Sequence, residues 1–494
     1  MNIHIDNRSG QLNDYYFQTL CLLYFPGEKF PPSGDDSGKS AYFKVTAEPD
    51  GSFAASVRLE NGGKSAEGYY CSRGYVPQVE MKDEFFAQLA LGNAYLEAGQ
   101  KLFGFLPPWG YLTGLRPVKR ARYYLTRGYD TRTVSDMFIK DYRVTPQKAF
   151  LSVKTALIEN EMLADYKYGT VGLYVSIPFC PTRCEYCSFI SYATKRLNAM
   201  IPDYLVRLHH DLESTAAFIK EMGFDVGAVY IGGGTPTVLD EAQLSELLHL
   251  ITDRFDLSKC REFTCESGRP DTINKQKIAI MRSMGVDRIS VNPQTIHADV
   301  LKRMGRLHTP EMFYNAADAA LSAGFKCVNA DLIAGLPGDT YDGFCESLHK
   351  VHEMGFGNIT VHTLSVKNAA SIRFDEADVY DPEGTRARKC VEYAGSFLES
   401  NRMRPYYLYR QKNTVGNAEN TGYAYEGLEN LYNVLMMEEV STVFACGAGS
   451  ITKLVNEPMN DILRLASPKY PYEYLETQPD TWQAAARQFF GAQN

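Results

Sequence analysis

Between Val171 and Leu364, short apolar runs alternate with longer stretches in which apolar residues recur every three to four positions. The runs at Val171–Ile177, Val226–Ile231, Glu262–Glu266, Arg288–Asn292, Cys327–Ile333 and Ile359–Leu364 predict strands. The periodic stretches predict helices. Ile201, Leu205, Leu208, Leu212, Ala216 and Ile219 share one helical face, and Glu241–Phe255, Lys275–Met284, Glu311–Ala323 and Tyr341–Met354 follow the same rule. Strand and helix in strict alternation are the pattern of βαβ units around a parallel sheet. Six such steps are fewer than the eight of a closed barrel, so an α/β fold with a partial, open (β/α)6 barrel is expected.

The flanks have a different texture. Residues 1–165 open with strand-like and loop-like pieces and close on a helix with Thr145 as N-cap, Pro146 in its first turn, and Phe150, Val153, Leu157 and Met162 along it. Residues 381–494 combine a helix (Thr385 to Leu398) with the strand-like Tyr406-Tyr407-Leu408-Tyr409. This predicts an N-terminal α+β accessory domain (1–165), a barrel core (166–380) and a C-terminal mixed α/β extension (381–494) that covers the substrate. A chain of 494 residues is long enough for that division.

Composition narrows the function. With 45% hydrophobic and 22% charged residues, the chain has the make-up of a soluble globular protein, and its net charge of −8 gives no reason to expect nucleic acid as a partner. No apolar stretch predicts a membrane span or a secretory signal. Eleven cysteines without a signal segment argue for a reducing, cytoplasmic setting rather than a disulfide framework. Eight of them stand singly among apolar neighbours, as Cys327 and Cys446 do, and are expected to be small core residues.

The other three form Cys180-Pro-Thr-Arg-Cys184-Glu-Tyr-Cys187, directly after the first core strand. Three thiolates at this spacing can wrap one face of a [4Fe–4S] cube and leave its fourth iron without a protein ligand, free to bind a small molecule. A zinc site or three unconnected core cysteines are the other readings; zinc takes a fourth Cys or His, and none follows within the loop.

Further candidates fall at or beyond the ends of successive strands, where barrel active sites are built. Gly232-Gly233-Gly234-Thr235-Pro236-Thr237 follows the second strand, and its glycines let backbone groups approach a ligand closely. Glu266, at the end of the third, can accept hydrogen bonds from ribose hydroxyls. Gln294 closes the fourth and offers both donor and acceptor; Arg306, twelve residues on, can fork onto a carboxylate. Asp331 opens Asp331-Leu-Ile-Ala-Gly-Leu-Pro-Gly-Asp-Thr340 on the fifth. Taken singly, each of these residues also suits an ordinary structural role.

Together these motifs resemble the oxygen-independent coproporphyrinogen III oxidase (dehydrogenase) family of the radical S-adenosylmethionine (SAM) superfamily. The resemblance runs from about Tyr174 to Lys367. Both flanks look most like the Z-type branch, through Pro108-Trp-Gly-Tyr-Leu-Thr-Gly-Leu-Arg116-Pro117, Tyr406-Tyr-Leu-Tyr-Arg410-Gln-Lys-Asn413, and Leu431-Tyr-Asn-Val-Leu-Met-Met-Glu-Glu439 followed by Gly447-Ala-Gly. The resemblance implies a radical SAM barrel with a [4Fe–4S] cluster on Cys180, Cys184 and Cys187, and one SAM on its open iron, leaving a second SAM open. By the same resemblance Gly232, Gly233, Gly234 and Thr235 hold the SAM amino group. Glu266 and Gln294 bind the ribose, Arg306 holds the carboxylate, Asp331 contacts the nucleoside, and Tyr174 lies against the cluster-bound SAM as a catalytic residue. Two positions depart from the decarboxylating members: Phe189 replaces a fourth cysteine, and Ser176 replaces a histidine.

The activity implied is oxidoreductase chemistry, the decarboxylation of two propionates of coproporphyrinogen III to vinyl groups, giving protoporphyrinogen IX in haem (porphyrin) biosynthesis. It would be driven by an electron donor such as a flavodoxin or ferredoxin. The substrate is a tetrapyrrole with four carboxylates, which calls for an apolar cleft rimmed by cations. Arg116, Lys119, Arg410 and Lys412, with Tyr406, Tyr407 and Tyr409 as walls, are candidates, although solvated charges and sheet aromatics explain them as well. Two other readings stand beside it: a haem-binding trafficking protein (a haem chaperone), and a radical SAM methyltransferase or haem-opening enzyme. The chaperone branch has a tail motif with a histidine before an aromatic pair, whereas no histidine follows His362 here.

Overall fold

The computed structural model describes the chain except residues 32, 33, 35, 36, 188–192, 367–384, 457–460 and 492–494. Phe189 and Lys367 therefore lie outside the described residues. The described residues divide into two compact units. One takes Met1–Ile158 with 385–388 and Leu408–Glu419; the other takes 159–366, Lys389–Tyr407 and Asn420 onward. No helix among them is long and apolar enough to cross a membrane.

The first unit is α+β. Strands β1 (Asn2–Arg8), β2 (Lys39–Ala47), β3 (Phe53–Asn61) and β4 (Lys64–Cys71) form one sheet in sequence order. β1 is parallel to β2, and the other pairs are antiparallel. Alternation decides the faces: in β2, Ala41, Phe43 and Val45 point into the core while Tyr42 and Lys44 face out. The helix Asp83–Phe103 covers the inner face. It lies so close that a Cβ on Gly68 would sit 2.1 Å from the Ala94 carbonyl oxygen. Deeper in the unit Lys148 Nζ meets Glu419 Oε1 at 2.5 Å, and Trp109 Nε1 donates to Glu419 Oε2 at 3.0 Å.

The second unit is built on the six parallel strands that the apolar runs predict: β5 (Thr170–Ile177), β6 (Asp225–Gly233), β7 (Glu262–Cys265), β8 (Arg288–Ser290), β9 (Cys327–Ala334) and β10 (Asn358–Thr363). They lie side by side in chain order, each parallel to the next across a strand–helix–strand crossover. The sheet does not close. β11 (Arg404–Tyr409) and β12 (Asn420–Ala424) extend it beyond β10. β13 (Val443–Cys446), β14 (Ile451–Asn456) and β15 (Asp461–Ala466) extend it beyond β5, making eleven strands. β13 is parallel to β5, with Val443–Cys446 opposite Gly172–Val175. The strands after residue 388 thus join the same sheet as the core strands.

The N-terminal ends of the strands are sealed by charge. Glu262, the first residue of β7, accepts the backbone N–H groups of Leu431 and Tyr432 at 2.9 and 3.1 Å. Those residues open the helix Leu431–Glu438, so a carboxylate sits where unpaired N–H groups and the helix dipole favour an anion. Arg288, opening β8, lies 3.3 Å from the same carboxylate and donates to the Leu428 and Glu429 carbonyls. From this helix Tyr432 stacks on Tyr230 at 4.5 Å, and Tyr174 lies about 6 Å from both, so aromatic rings fill the sheet below the strand ends.

The Glu262–Arg288 pair yields a stability test. Glu262→Gln leaves a buried guanidinium without its opposing charge and weakens a helix N-terminus, so a loss of about 3–5 kcal/mol is expected. A fall in the thermal unfolding midpoint reports it. Lys259→Ala, which removes an exposed partner of Asp225, leaves the midpoint unchanged.

Candidate functional site

The cysteine loop begins where Pro178 follows β5. Its first thiol, Cys180, is buried, with Sγ 3.3 Å from Thr235 Oγ1; Cys184 and Cys187 are half-buried, and a turn from the Cys187 N–H to the Cys184 carbonyl joins them. Little of the loop is apolar, so hydrogen bonds fix it. The Asn198 amide donates to the Cys180 carbonyl at 3.4 Å, and the Glu185 N–H to the Met304 carbonyl at 3.1 Å. The Thr182 hydroxyl reaches the Gly305 carbonyl at 3.3 Å.

The glycine run forms the wall beside it. The Gly234 N–H donates to the Ile177 carbonyl and the Thr235 N–H to the Phe179 carbonyl, both at 2.8 Å, which prolongs the β5–β6 ladder past the strands. A Cβ on Gly234 would fall 2.5 Å from the Phe179 oxygen and 3.0 Å from Cys180 Sγ. On Gly232 it would fall 2.9 Å from Glu266 Oε2. Gly233 has φ +108°, a conformation that suits glycine. The glycines are therefore required by the close approach of strand end, cysteine loop and carboxylate.

Glu266 directly follows β7, and Gln294 lies beyond β8 in the left-handed region (φ +67°), its backbone bridging Asp331 and Ile333. Gln294 is buried, and its Oε1 has no hydrogen-bond partner among the described residues. Asp331, on β9, receives Asn292 Nδ2 on Oδ2 and Asn329 Nδ2 on Oδ1, both at 2.8 Å, with His362 Nε2 3.7 Å away. The two carboxyls are pushed in opposite directions. Burial, then the Asp331 charge, raises Glu266 to about 7. For Asp331 burial acts upward too, but His362 and the hydrogen bonds from Asn329 and Thr360 outweigh it and hold the carboxyl below its ordinary value. Tyr174 is half-buried on β5, and burial followed by the nearby Glu266 raises its hydroxyl well above the usual range.

Arg306 is buried and acts as a strut. Nη1 donates to the Tyr186 hydroxyl at 2.8 Å, Nη2 to the Asn292 and Gly268 carbonyls at 2.8 and 3.1 Å, and Nε to His308 Nδ1 at 3.3 Å. Four of its five N–H donors are thus engaged, one of them by the cysteine loop. A second arginine, which no sequence motif singles out, lies against the same loop: Arg269 donates from Nη1 to Cys184 Sγ at 3.6 Å. Asn292, Tyr186, His362 and Tyr432 were also missed. Tyr186 and Tyr432 lie inside motifs and Asn292 and His362 near strand ends, but their contacts appear only when distant segments come together.

The structure thus gathers the three cysteines, Gly232, Gly233, Gly234, Thr235, Glu266, Gln294, Arg306, Asp331 and Tyr174 around the C-terminal ends of the core strands. Arg116, Lys119, Arg410 and Lys412 belong to the first unit. Arg410 is buried there, with its guanidinium 5.2 Å from the Trp109 ring and bonded to the Leu112 carbonyl. Tyr406 and Tyr407 are core residues, the former bonded to Asn358. Ser176 donates to the Ala448 carbonyl at 2.9 Å and so anchors the Gly447-Ala-Gly turn.

The sequence model of the Radical SAM superfamily matches residues 174–351. That class implies a [4Fe–4S] cluster and SAM, and the donor set present fits: three thiols on one loop, a glycine edge with no room for side chains, and a buried amide oxygen without a partner. The chain is 34% identical over 408 residues, 81% of each chain, to the oxygen-independent coproporphyrinogen-III oxidase-like protein HemZ of Bacillus subtilis. It is 28% identical over 321 residues to the heme chaperone HemW of Escherichia coli, covering 64% of this chain and 79% of that one. Among solved structures, coproporphyrinogen III oxidase (HemN) from Escherichia coli aligns with 23% identity and a TM-score of 0.48, over 60% of this chain and 67% of that one. The chain belongs to the HemN-like family of radical SAM proteins.

The raised carboxyl gives a pH test. The ordinary glutamate value is 4.5 and Glu266 stands at about 7, so between these values the folded chain holds a proton that the unfolded chain releases. Its contribution to stability is present below that window and is lost as pH rises through it. Relative to Glu266→Gln, the parent is expected to lose thermal midpoint between about pH 5 and pH 8. Differential scanning calorimetry of cluster-free protein across that range measures this; parallel curves for the two proteins would mean that Glu266 is ionised throughout.

Proposed function

We propose that this chain is a radical SAM enzyme that oxidatively decarboxylates coproporphyrinogen III to protoporphyrinogen IX, with a flavodoxin or ferredoxin as electron donor. The observation that carries the reading is the reach of the likeness to the coproporphyrinogen-III oxidase-like relative. It spans 81% of both chains and so takes in flanks as well as core. The donor set at the strand ends supports it.

In this reading Cys180, Cys184 and Cys187 hold the cluster. The backbone of Gly232–Gly234 with Thr235 receives the SAM amino group, Glu266 and Gln294 the ribose, and Asp331 the nucleoside. Arg306, with one N–H unengaged among the described residues, lies by the carboxylate, and Tyr174 faces the bound SAM. A cluster and SAM bound there supply a 5′-deoxyadenosyl radical by one-electron cleavage of the sulfonium. The chain's own part is to bind and orient. Glu266 accepts ribose hydroxyls best as the carboxylate, so SAM affinity rises with pH through about 7. Asp331, kept ionised by His362 and the neighbouring amides, presents a fixed acceptor beside it.

Relatives described as heme chaperones give a second reading, a haem-binding protein with the same fold. One experiment separates the two. The cluster is reconstituted anaerobically, and the protein is incubated with SAM, a reductant and coproporphyrinogen III, with products followed by mass spectrometry. Loss of two carbon dioxide units, abolished by Cys184→Ala, is the expected result. Deoxyadenosine without decarboxylation points to another tetrapyrrole substrate. Stoichiometric haem binding without SAM cleavage favours the chaperone.

A further inference from the structure

Arg269 has no part in that scheme, yet it touches a proposed cluster ligand. Its side chain is nearly fully buried and all five of its N–H donors have acceptors. Nη1 donates to Cys184 Sγ at 3.6 Å and to the Thr182 carbonyl at 3.4 Å, and Nη2 to Thr182 Oγ1 at 3.0 Å. Nε and Nη2 fork onto the Asp271 carboxylate, both at 2.9 Å. The guanidinium is therefore a plate held from one edge by Asp271 and pressed against the cysteine loop with the other. A lysine, with a single ammonium, cannot satisfy both edges.

We propose that Arg269 sets the reduction potential of the cluster through Cys184, acting as a positioning and charge-tuning residue. The inference rests on the reading that a cluster binds at Cys180, Cys184 and Cys187. One-electron reduction, by a flavoprotein, an iron–sulfur protein or dithionite, adds negative charge to the cluster and its thiolates. A hydrogen bond to a ligand sulfur and a fixed positive charge beside it stabilise that reduced form more than the oxidised one, which raises the potential. Asp271 on the far edge opposes the effect.

Two of the polar groups beside this pair are uncharged. Burial, followed by the charges of Arg306 and then Arg269 with Asp271 opposing, pushes His308 down to about 3, so it is neutral at working pH. The Tyr186 hydroxyl is raised far above its ordinary range by burial and is neutral too. Among the described residues, Arg269 bonds Cys184 Sγ directly with Asp271 on its far edge, Arg306 lies beyond at Tyr186, and Arg183 and Glu185 flank Cys184 on the loop.

The two halves of the pair should move the potential in opposite directions, which a purely structural role would not do. In the reconstituted full-length protein, Arg269→Gln is expected to lower the midpoint by at least 59 mV, a tenfold shift in the one-electron equilibrium. Arg269→Lys, which keeps the charge but not the fork, restores part of it. Asp271→Asn raises the midpoint above the parent's. Potentiometric titration followed by electron paramagnetic resonance reads these shifts, with iron and sulfide content measured alongside. If Arg269→Gln assembles too little cluster to titrate, the Asp271→Asn and Arg269→Lys midpoints decide. Unchanged midpoints, or Arg and Asp variants shifting the same way, overturn the proposal while leaving the cluster reading intact. A parent protein that assembles no cluster overturns that reading and the proposal with it.

Discussion

Two buried guanidiniums hold the cysteine loop to the strand ends, and the geometry of the site depends on them. A segment reading Pro-Thr-Arg-Cys-Glu-Tyr-Cys has almost nothing to bury in an apolar core, so hydrophobic packing cannot fix it. Arg306 connects its Tyr186 to the backbone after β7 and β8, and Arg269 connects its Thr182 and Cys184 to the turn after β7. Planar, multiply bonded forks give directional restraint that a point charge would not. Because both arginines are buried, each restraint is also costly to break. The loop carrying the thiols is thereby registered against Glu266, whose strand leads directly into the Arg269 turn.

The same logic explains the pairing of charges along the molecule. Carboxylates at the N-terminal strand ends serve stability: Glu262 takes two helix N–H groups and an arginine and is fully engaged. Carboxylates at the C-terminal ends are left partly uncompensated. Glu266 faces Asp331, a like charge, and burial disfavours ionisation. The strain of that arrangement is placed where a ligand with hydroxyl groups would relieve it, the usual division between a stabilising face and a working face in such folds.

Local signals made much of this visible in the sequence. Six apolar runs and the helices between them follow from periodicity, and the strand-end positions of Glu266 and Asp331 follow from counting along them. The cysteine spacing and the glycine run are local too. What periodicity cannot supply is contact between remote segments. Arg269 and Cys184 are 85 positions apart, Arg306 and Tyr186 are 120 apart, and Glu262 and Tyr432 are 170 apart. An isolated arginine after a strand has no periodic partner to announce it, and a tyrosine in an amphipathic helix looks like any other core aromatic. The helix Ala298–Arg303 gives no such signal, because six residues are too few to show a helical repeat.

The pairing of β13 with β5 bears on how the protein is made. β5 leads into the cysteine loop, and on its outer side its backbone partner is a strand some 270 residues later, as the bond from the Gly172 N–H to the Thr442 carbonyl shows. At 5–20 residues per second a ribosome needs roughly 14–54 s to bridge that gap. Throughout that interval β5 is an open edge on the nascent chain, with unpaired N–H and carbonyl groups that invite foreign strands. The loop's permanent wall on that side, including the Gly447-Ala-Gly turn held by Ser176, comes into being only after that interval. Completion of the surroundings of the thiol loop therefore waits on a segment translated some 270 residues after β5 itself.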